Sequence, residues 1–295
     1  MRIIVSVDDY GLTEGITDTI LEAVDAGFVS SVSVIANGDA FAHAIAEYSK
    51  RGCFRLSVRL NLVEGPSVAP RSEVSLLLGK DGQFKYSFVS LVLRYLFSSR
   101  TTKEILRRQV ARECAAQIEK VRQAAGEGID IGIDGHQHTH MIPFVFDAIL
   151  SLGARYRFSR MRIPREPFFA VSLKNYANGN ILKHFLLNIL SRRNKKRLLN
   201  IPVSDWFIGV LETGDATIAG ITHALGSIAA RRETGAKTTV EVLLHPGEAR
   251  ADKKDEWRGR RSFLAHYYAA GRSRERAILA SPDFKKVVEL FGTLV

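Results

Sequence analysis

The chain has 295 residues, 46% of them hydrophobic and 25% charged, with 23 glycines and 8 prolines. Those proportions exclude a collagen, a low-complexity tail and a disordered scaffold, and the length suffices to bury a large core. Lysine and arginine exceed aspartate and glutamate by 42 to 31, a net charge of +11 that suits either an anionic partner or a simply solubilising surface.

Residues 3–7 (IIVSV) are a short β-branched run that stops at Asp8, Asp9 and Gly11, the pattern of a buried strand running into a loop. Thr13 is placed to cap a helix carrying Ile16, Ile20 and Val24 at fourfold spacing, and Gly27 to end it. Residues 29–38 (VSSVSVIANG) read as a second strand and a turn, so the chain starts β, α, β, which predicts a parallel sheet covered by helices. Residues 54–62 (FRLSVRLNL) alternate strictly: Phe54, Leu56, Val58, Leu60 and Leu62 on one face, Arg55, Ser57, Arg59 and Asn61 on the other. A strand of that kind suits a barrel whose polar face ends in a cavity. Residues 64–100 show no clean period.

Thr101 or Thr102 is expected to cap a long helix with Leu106, Val110, Cys114, Ile118 and Val121 on one stripe. Residues 129–133 (IDIGI) form another short strand that runs directly into Asp134–His140. Pro143 suits the first turn of the next helix, and residues 155–166 are strand-like. A helix with Ile218, Ile221, Leu225 and Ile228 then precedes the strand 238–244 (TTVEVLL), which ends at His245-Pro246-Gly247. Ser281-Pro282 opens a last helix with Phe284, Val287, Val288 and Phe291. Short apolar strands ending in chemically capable residues are the pattern of barrels and open α/β sheets, whose sites lie at the C-terminal strand ends. The expectation is an α/β fold, a single TIM-like (β/α) barrel domain over residues 1–295.

Asp8 and Asp9 are neighbouring carboxylates at a strand end. Such pairs divide labour between a proton carrier and a metal ligand, or serve as a helix cap and a solvated neighbour. Asp134, His136, His138 and His140 share one side if the segment is extended. Imidazole with carboxylate admits Zn, Ni or Mn and harder ions, and one ligand with two pocket-lining histidines fits this run. His245, presented by a strand end and a turn, is placed as a general acid or base. His43, His184, His223 and His266 lie in helical or loop contexts and read as structural or surface groups. Segment 181–199 joins an apolar stretch to five basic residues within six positions. It reads either as an interfacial helix drawn to anionic lipid or a lipid-linked substrate, or as a solvated helix packed on the barrel. Basic residues interleaved with stacking aromatics are missing, so nucleic acid is not an expected partner. Cys53 and Cys114 make no disulfide framework and fit a reduced compartment. The start of the chain is too short a run for a signal peptide, and no apolar run reaches the ~20 residues of a membrane span. Those features point to the cytoplasm; a homo-oligomer stays open.

Taken together, VSVDDYGLTEG, LNLVEG, DGHQHTHMIP, RIPRE and LLHPGE, in this order, resemble the YdjC-like (ChbG-like) carbohydrate deacetylase family. The resemblance runs from residue 3 into the C-terminal helices. It implies a distorted (β/α) barrel, a divalent metal (Mg, Zn, Ni or Mn), and hydrolysis of an N-acetyl group from an amino sugar or glycan precursor. It also implies Asp8 as catalytic base, Asp9 and His136 as metal ligands, and His245 as the acid for the leaving amine. Arg59, His138, His140, Arg162 and Arg165 are pocket candidates. The chain departs from the pattern twice. Ser6 stands where the family usually has asparagine, and Arg59 where it has a ligand histidine. Arginine stays protonated and has no lone pair to offer a cation. Three outcomes follow: a metal held by Asp9, His136 and a neighbour such as His138; Arg59 in the metal's place as a fixed cation; or a catalytically impaired, glycan-binding or regulatory pseudoenzyme.

Overall fold

A computed structural model describes residues 1–52, 54–126, 128–169, 179–198, 200–247, 266–267 and 269–295. Cys53 therefore lies outside the described residues, as do Leu199 of the basic segment and Glu248 after the HPG turn; Cys114 is a buried free thiol.

Strands β1 (Arg2–Tyr10), β2 (Ser31–Val34), β3 (Arg55–Leu60), β4 (Ile131–Gly135), β5 (Arg160–Met161), β6 (Trp206–Ile208) and β7 (Thr239–Leu244) form one sheet in the order β5-β4-β3-β2-β1-β7-β6. Every pairing is parallel, and a short β8 (Thr293–Leu294) adds to β1. The sheet curls into a half-barrel whose edge strands are not paired among the described residues, and residues beside them bridge the gap: Met161 N–H donates to Pro202 O (2.9 Å) and Phe207 N–H to Arg165 O (2.8 Å). The outcome is the α/β, distorted barrel expected from the sequence.

The strands' alternation decides what fills the barrel. Outward positions such as Val5, Val7, Val32, Val58, Ile133 and Val242 are buried under the helices. Many inward positions are polar and matched across strands, Ser6 opposite Ser31, Ser33 opposite Ser57 and Arg59 opposite Asp134, with Leu243 and Phe207 among the apolar ones. The interior is thus hydroxyls below and charges above, rather than the layered aliphatic core usual in such barrels.

The helices largely follow their caps. Thr13 accepts the Ile16 N–H (3.3 Å) at the start of α1 (Glu14–Asp25), and α2 (Phe41–Arg51) follows β2. Ser87 caps α3 (Phe88–Leu96), which occupies part of the stretch without a clean period. The long helix α4 (Arg100–Ala125) starts earlier than expected, because Ser99, not Thr101 or Thr102, accepts the Thr102 N–H (3.2 Å). Its stripe from Leu106 to Val121 is fully buried. Pro143 opens α5 (Pro143–Tyr156); α6 (Asn180–Lys195), α7 (Ile218–Ala229), α8 (Ala270–Leu279) and α9 (Pro282–Phe291) complete the described helices. Residues 155–166, expected to be strand-like, contain only the two-residue β5, since Tyr156 still belongs to α5.

Candidate active site

Two local distortions aim the strand ends. The β1–β2 register shifts between Val7 and Tyr10, and Asp9 takes φ 74°, a bulge that turns consecutive carboxylates toward the same pole of the barrel. Close behind, Gly38 lets the β2 loop pack on this turn: a Cβ there would stand 2.0 Å from Gly11 O. The second distortion follows β4. The extended run expected for Asp134–His140 is instead a 3-10 turn (His136–Met141) with Gln137 and His138 at φ 51° and 57°. The three histidines therefore part. His136 joins the charged cluster, His138 faces the cavity, and His140 folds back to bond Arg162 O (3.0 Å). Gly135 makes room for that last ring, since a Cβ would lie 2.6 Å from His140 Nδ1.

Arg59 is the hub. Its Nε donates to Asp9 Oδ1 (3.0 Å) and approaches His136 Nδ1 (3.3 Å), while Nη1 donates to Asp134 Oδ1 (2.9 Å) and to Asp8. Arg162 lies beneath, its Nη1 on both Asp8 oxygens (3.0 and 2.9 Å) and its Nε on Glu241 (2.8 Å). Arg272 takes the other oxygen of Asp9. Ser33 holds Asp134 Oδ2 (2.6 Å). The second nitrogen of His136 meets Glu64 Oε1 (2.7 Å) and the Tyr267 hydroxyl (3.0 Å), and Tyr267 also donates to Glu64. Glu64 is itself positioned through its carbonyl, which accepts from Asn37 (3.0 Å) and Asn61 (2.9 Å).

The charges are desolvated and mutually compensated. Burial pushes Asp8 up, but Arg162 and Arg59 outweigh it and hold its carboxyl at about 2. Burial is likewise outweighed at Asp9, which Arg272 and Arg59 keep well below the usual carboxylate range. At His136 burial lowers the pKa, but hydrogen bonds to Asp9 and Glu64 raise it overall. Burial lowers His138 strongly, with the Lys183 charge adding to it, and takes His140 and His266 to about 3.

A cavity of about 550 Å³ opens over this cluster, its floor including Asp9, Arg59, His136, His138, His245 and Tyr267. His245 Nε2 stands 3.7 Å from Asp8 Oδ2, and its Nδ1 3.6 Å from Glu275 Oε2. The His245 N–H donates to the same Glu275, which fixes the strand end. Among the described residues Arg59 Nη2 makes no hydrogen bond. Asp8 and Arg162 lie below the cavity lining. Arg165 is elsewhere, stacked 4.0 Å over the Trp206 ring rather than lining the cavity, and Glu166 pairs not with it but with the backbone N–H groups of Gly209, Val210 and Leu211. His266 and Lys183 also line the cavity, neither anticipated from the sequence. Burial lowers Lys183 to about 8.

The donors that the resemblance implies for a divalent ion are in place but engaged. Asp9 Oδ1 and His136 Nδ1 are 3.5 Å apart and both address Arg59 Nε, while Asp9 Oδ2 is taken by Arg272. An ion there would lack its third donor and abut two guanidiniums. Among the described residues no group of three or more His, Cys, Asp or Glu side chains is arranged to hold a metal. The residues as folded do not fit the implied ion.

The family model for YdjC-like proteins matches residues 2–290, and the chain belongs to that family. It is 34% identical over 264 residues to a carbohydrate deacetylase of Homo sapiens, covering 84% of this chain and 75% of the relative. A carbohydrate deacetylase of Mus musculus is 29% identical over 266 residues, covering 84% and 78%. The fold is similar to a crystal structure from Enterococcus faecalis V583, named as a candidate cellobiose-phosphate cleavage protein. The TM-score is 0.71 and the identity 19%, covering 100% of this chain and 96% of the other.

Proposed function

We propose that this member of the YdjC-like family hydrolyses the N-acetyl group of an amino sugar, with the Arg59 guanidinium in the place of a metal ion. Carbohydrate deacetylation is the activity in the names of its human and mouse relatives. The observation that carries the reading is the convergence on one cavity floor of a fixed cation, Arg59, and a histidine, His245, backed by Asp8 at 3.7 Å. The donor set holds a guanidinium where the resemblance expects an ion, so each step falls to the chain's own side chains.

Arg59 Nη2 donates to the acetyl carbonyl oxygen and holds the oxyanion as it develops; preorganised donors of this kind are worth about 2.7–4 kcal/mol. A carboxyl held at about 2 is a weak base at neutral pH, and Asp8 lies under the floor. The proton transfers therefore fall to His245, and Asp8 keeps a negative charge beside the imidazolium that forms. His245 takes a proton from water as the water oxygen attacks the carbonyl carbon. It returns that proton to nitrogen as the C–N bond breaks, leaving acetate and a free amine. His138, buried with its Nδ1 unpartnered, offers a polar contact for the sugar. The free Cys114 thiol keeps the cytoplasm as the proposed setting. Among the described residues no helix is long and apolar enough to cross a membrane.

The test is acetate release from N-acetylated amino sugars and small chito-oligosaccharides, beside His245→Gln. Loss of kcat by about 10²–10⁴-fold with sugar binding retained supports the assignment; undiminished turnover overturns it. A second reading, sugar binding without hydrolysis, is favoured by the two arginines that lock Asp8. It predicts saturable binding by calorimetry and no acetate from any substrate.

A further inference from the structure

We propose that the substrate is an amphiphile, an amino sugar carried on a long apolar chain, and that this chain lies in the groove between α3 and α6; the proposal rests on the deacetylase reading of the adjoining cavity. Part of the lining of that cavity is not that of a site for a free sugar. Phe88, Val89, Leu182, Leu186 and Leu187 make it apolar on the side of α3 and α6, while Gln137, Lys183 and Thr213 add polar groups elsewhere. Phe88, Val89 and Leu186 are shared with a second cavity of about 500 Å³, so the two spaces adjoin across these side chains. Beyond the shared wall this groove is lined by Leu93, Leu96, Ile142, Phe144 and Leu190, and its charged residues are Arg107, Asp147 and Arg193.

The apolar surface is concentrated there rather than scattered. Of the eleven exposed large apolar side chains among the described residues, four lie on residues 88–97 and four on α6. Five of these eight, Val89, Leu93, Leu96, Leu182 and Leu186, line the two cavities; Val89 is 61% exposed, Leu96 56% and Leu182 76%. Apolar surface gathered around one opening marks a binding face, not incidental exposure. The groove adjoins the reacting cavity, and Val89 and Leu186 on the shared wall are themselves exposed, so an apolar chain attached to the sugar can pass over them into it, which favours the substrate's own chain over an independent partner. Arg193 is one of the five basic residues at the end of α6 and just beyond it, Arg192, Arg193, Lys195, Lys196 and Arg197, and with Arg107 it complements the anionic headgroups that surround such a lipid. Arg197 is partly offset by Asp147, with which it pairs.

The experiment measures binding and acetate release for methyl, hexyl and octyl N-acetylglucosaminides, each below its aggregation concentration. Full burial of added methylenes gives about fourfold in affinity per carbon, so octyl binds on the order of a hundredfold or more tighter than methyl. Leu96→Glu, a change at an exposed position, removes most of that preference, while its melting temperature reports that the fold is kept. Affinity independent of chain length overturns the proposal. So does binding to phosphatidylglycerol vesicles that contain no glycolipid, when it comes without a chain-length preference; the face then meets a bilayer, not the substrate's chain. Chain-length-dependent binding with no acetate from any glycoside upholds the groove and refutes the deacetylase reading on which it rests.

Discussion

The cavity has a floor and a rim built on opposite principles. In and beneath the floor, four carboxylates from β1, β4 and β7 face three arginines from β3, the end of β5 and α8, and every charge is compensated by a partner. At the rim, α3 and α6 leave leucine, isoleucine and valine in solvent with no described partner. The contrast shows how each region answers to the rest of the chain. The floor is complete within the fold, and any single loss strands a buried charge. The rim is incomplete, and substitutions there touch function before stability.

The largest effect that would break the comparison is at the hub. Arg59→Met leaves Asp8, Asp9 and Asp134 short of a cation, and removal of one partner from a buried ion pair costs about 3–5 kcal/mol. Urea unfolding measures it; a change below 1 kcal/mol would mean that the floor is not self-compensating.

Next comes acid sensitivity. Burial holds His140 at about 3 in the folded chain, against an ordinary value near 6.5. A folded pKa below the unfolded one means that the unfolded chain binds the proton more readily. The stability contribution is therefore intact above the ordinary value and lost as pH falls through the window down to about 3. Between pH 7 and pH 4 this one residue removes about 3 kcal/mol. Thermal melts across that range, with His140→Asn as the control, should show a shallower acid slope in the variant; parallel slopes would refute it.

A smaller effect separates floor from scaffold. Arg165 is stacked on Trp206, so Arg165→Ala should cost about 0.5–1 kcal/mol of stability and leave KM for a short N-acetyl sugar unchanged. A raised KM would return Arg165 to the sugar pocket. Smallest of all, Leu182→Ser at the rim should shift stability by no more than about 0.5 kcal/mol, since it leaves no cavity and strands no polar group. A larger loss by thermal melting would show that the rim is packed rather than waiting for a ligand.

Much of the floor was legible because its residues sit in short local runs. Asp8-Asp9, the Asp134–His136 step and His245 each end an apolar strand, and the alternation of residues 54–62 put Arg59 on the inward face. What was hidden depends on distance and on backbone turns. Tyr267 reaches Glu64 across 203 residues and Arg272 reaches Asp9 across 263, and neither belongs to a periodic pattern. The separation of His136 from His140 depends on two left-handed residues, Gln137 and His138, that no side-chain pattern announces. The rim was half legible. Segment 181–199 stood out for its apolar and basic halves, but its partner α3 lay in a stretch without a period, so the groove between them could not be read.

Whether a guanidinium holds the position of the ion is decided by calorimetric titration of wild type and Arg59→His with Zn, Ni and Mn. Wild type should show no stoichiometric tight binding and Arg59→His about one equivalent, since there position 59, Asp9 and His136 supply three donors. One tightly bound equivalent in wild type would contradict a guanidinium in the ion's place.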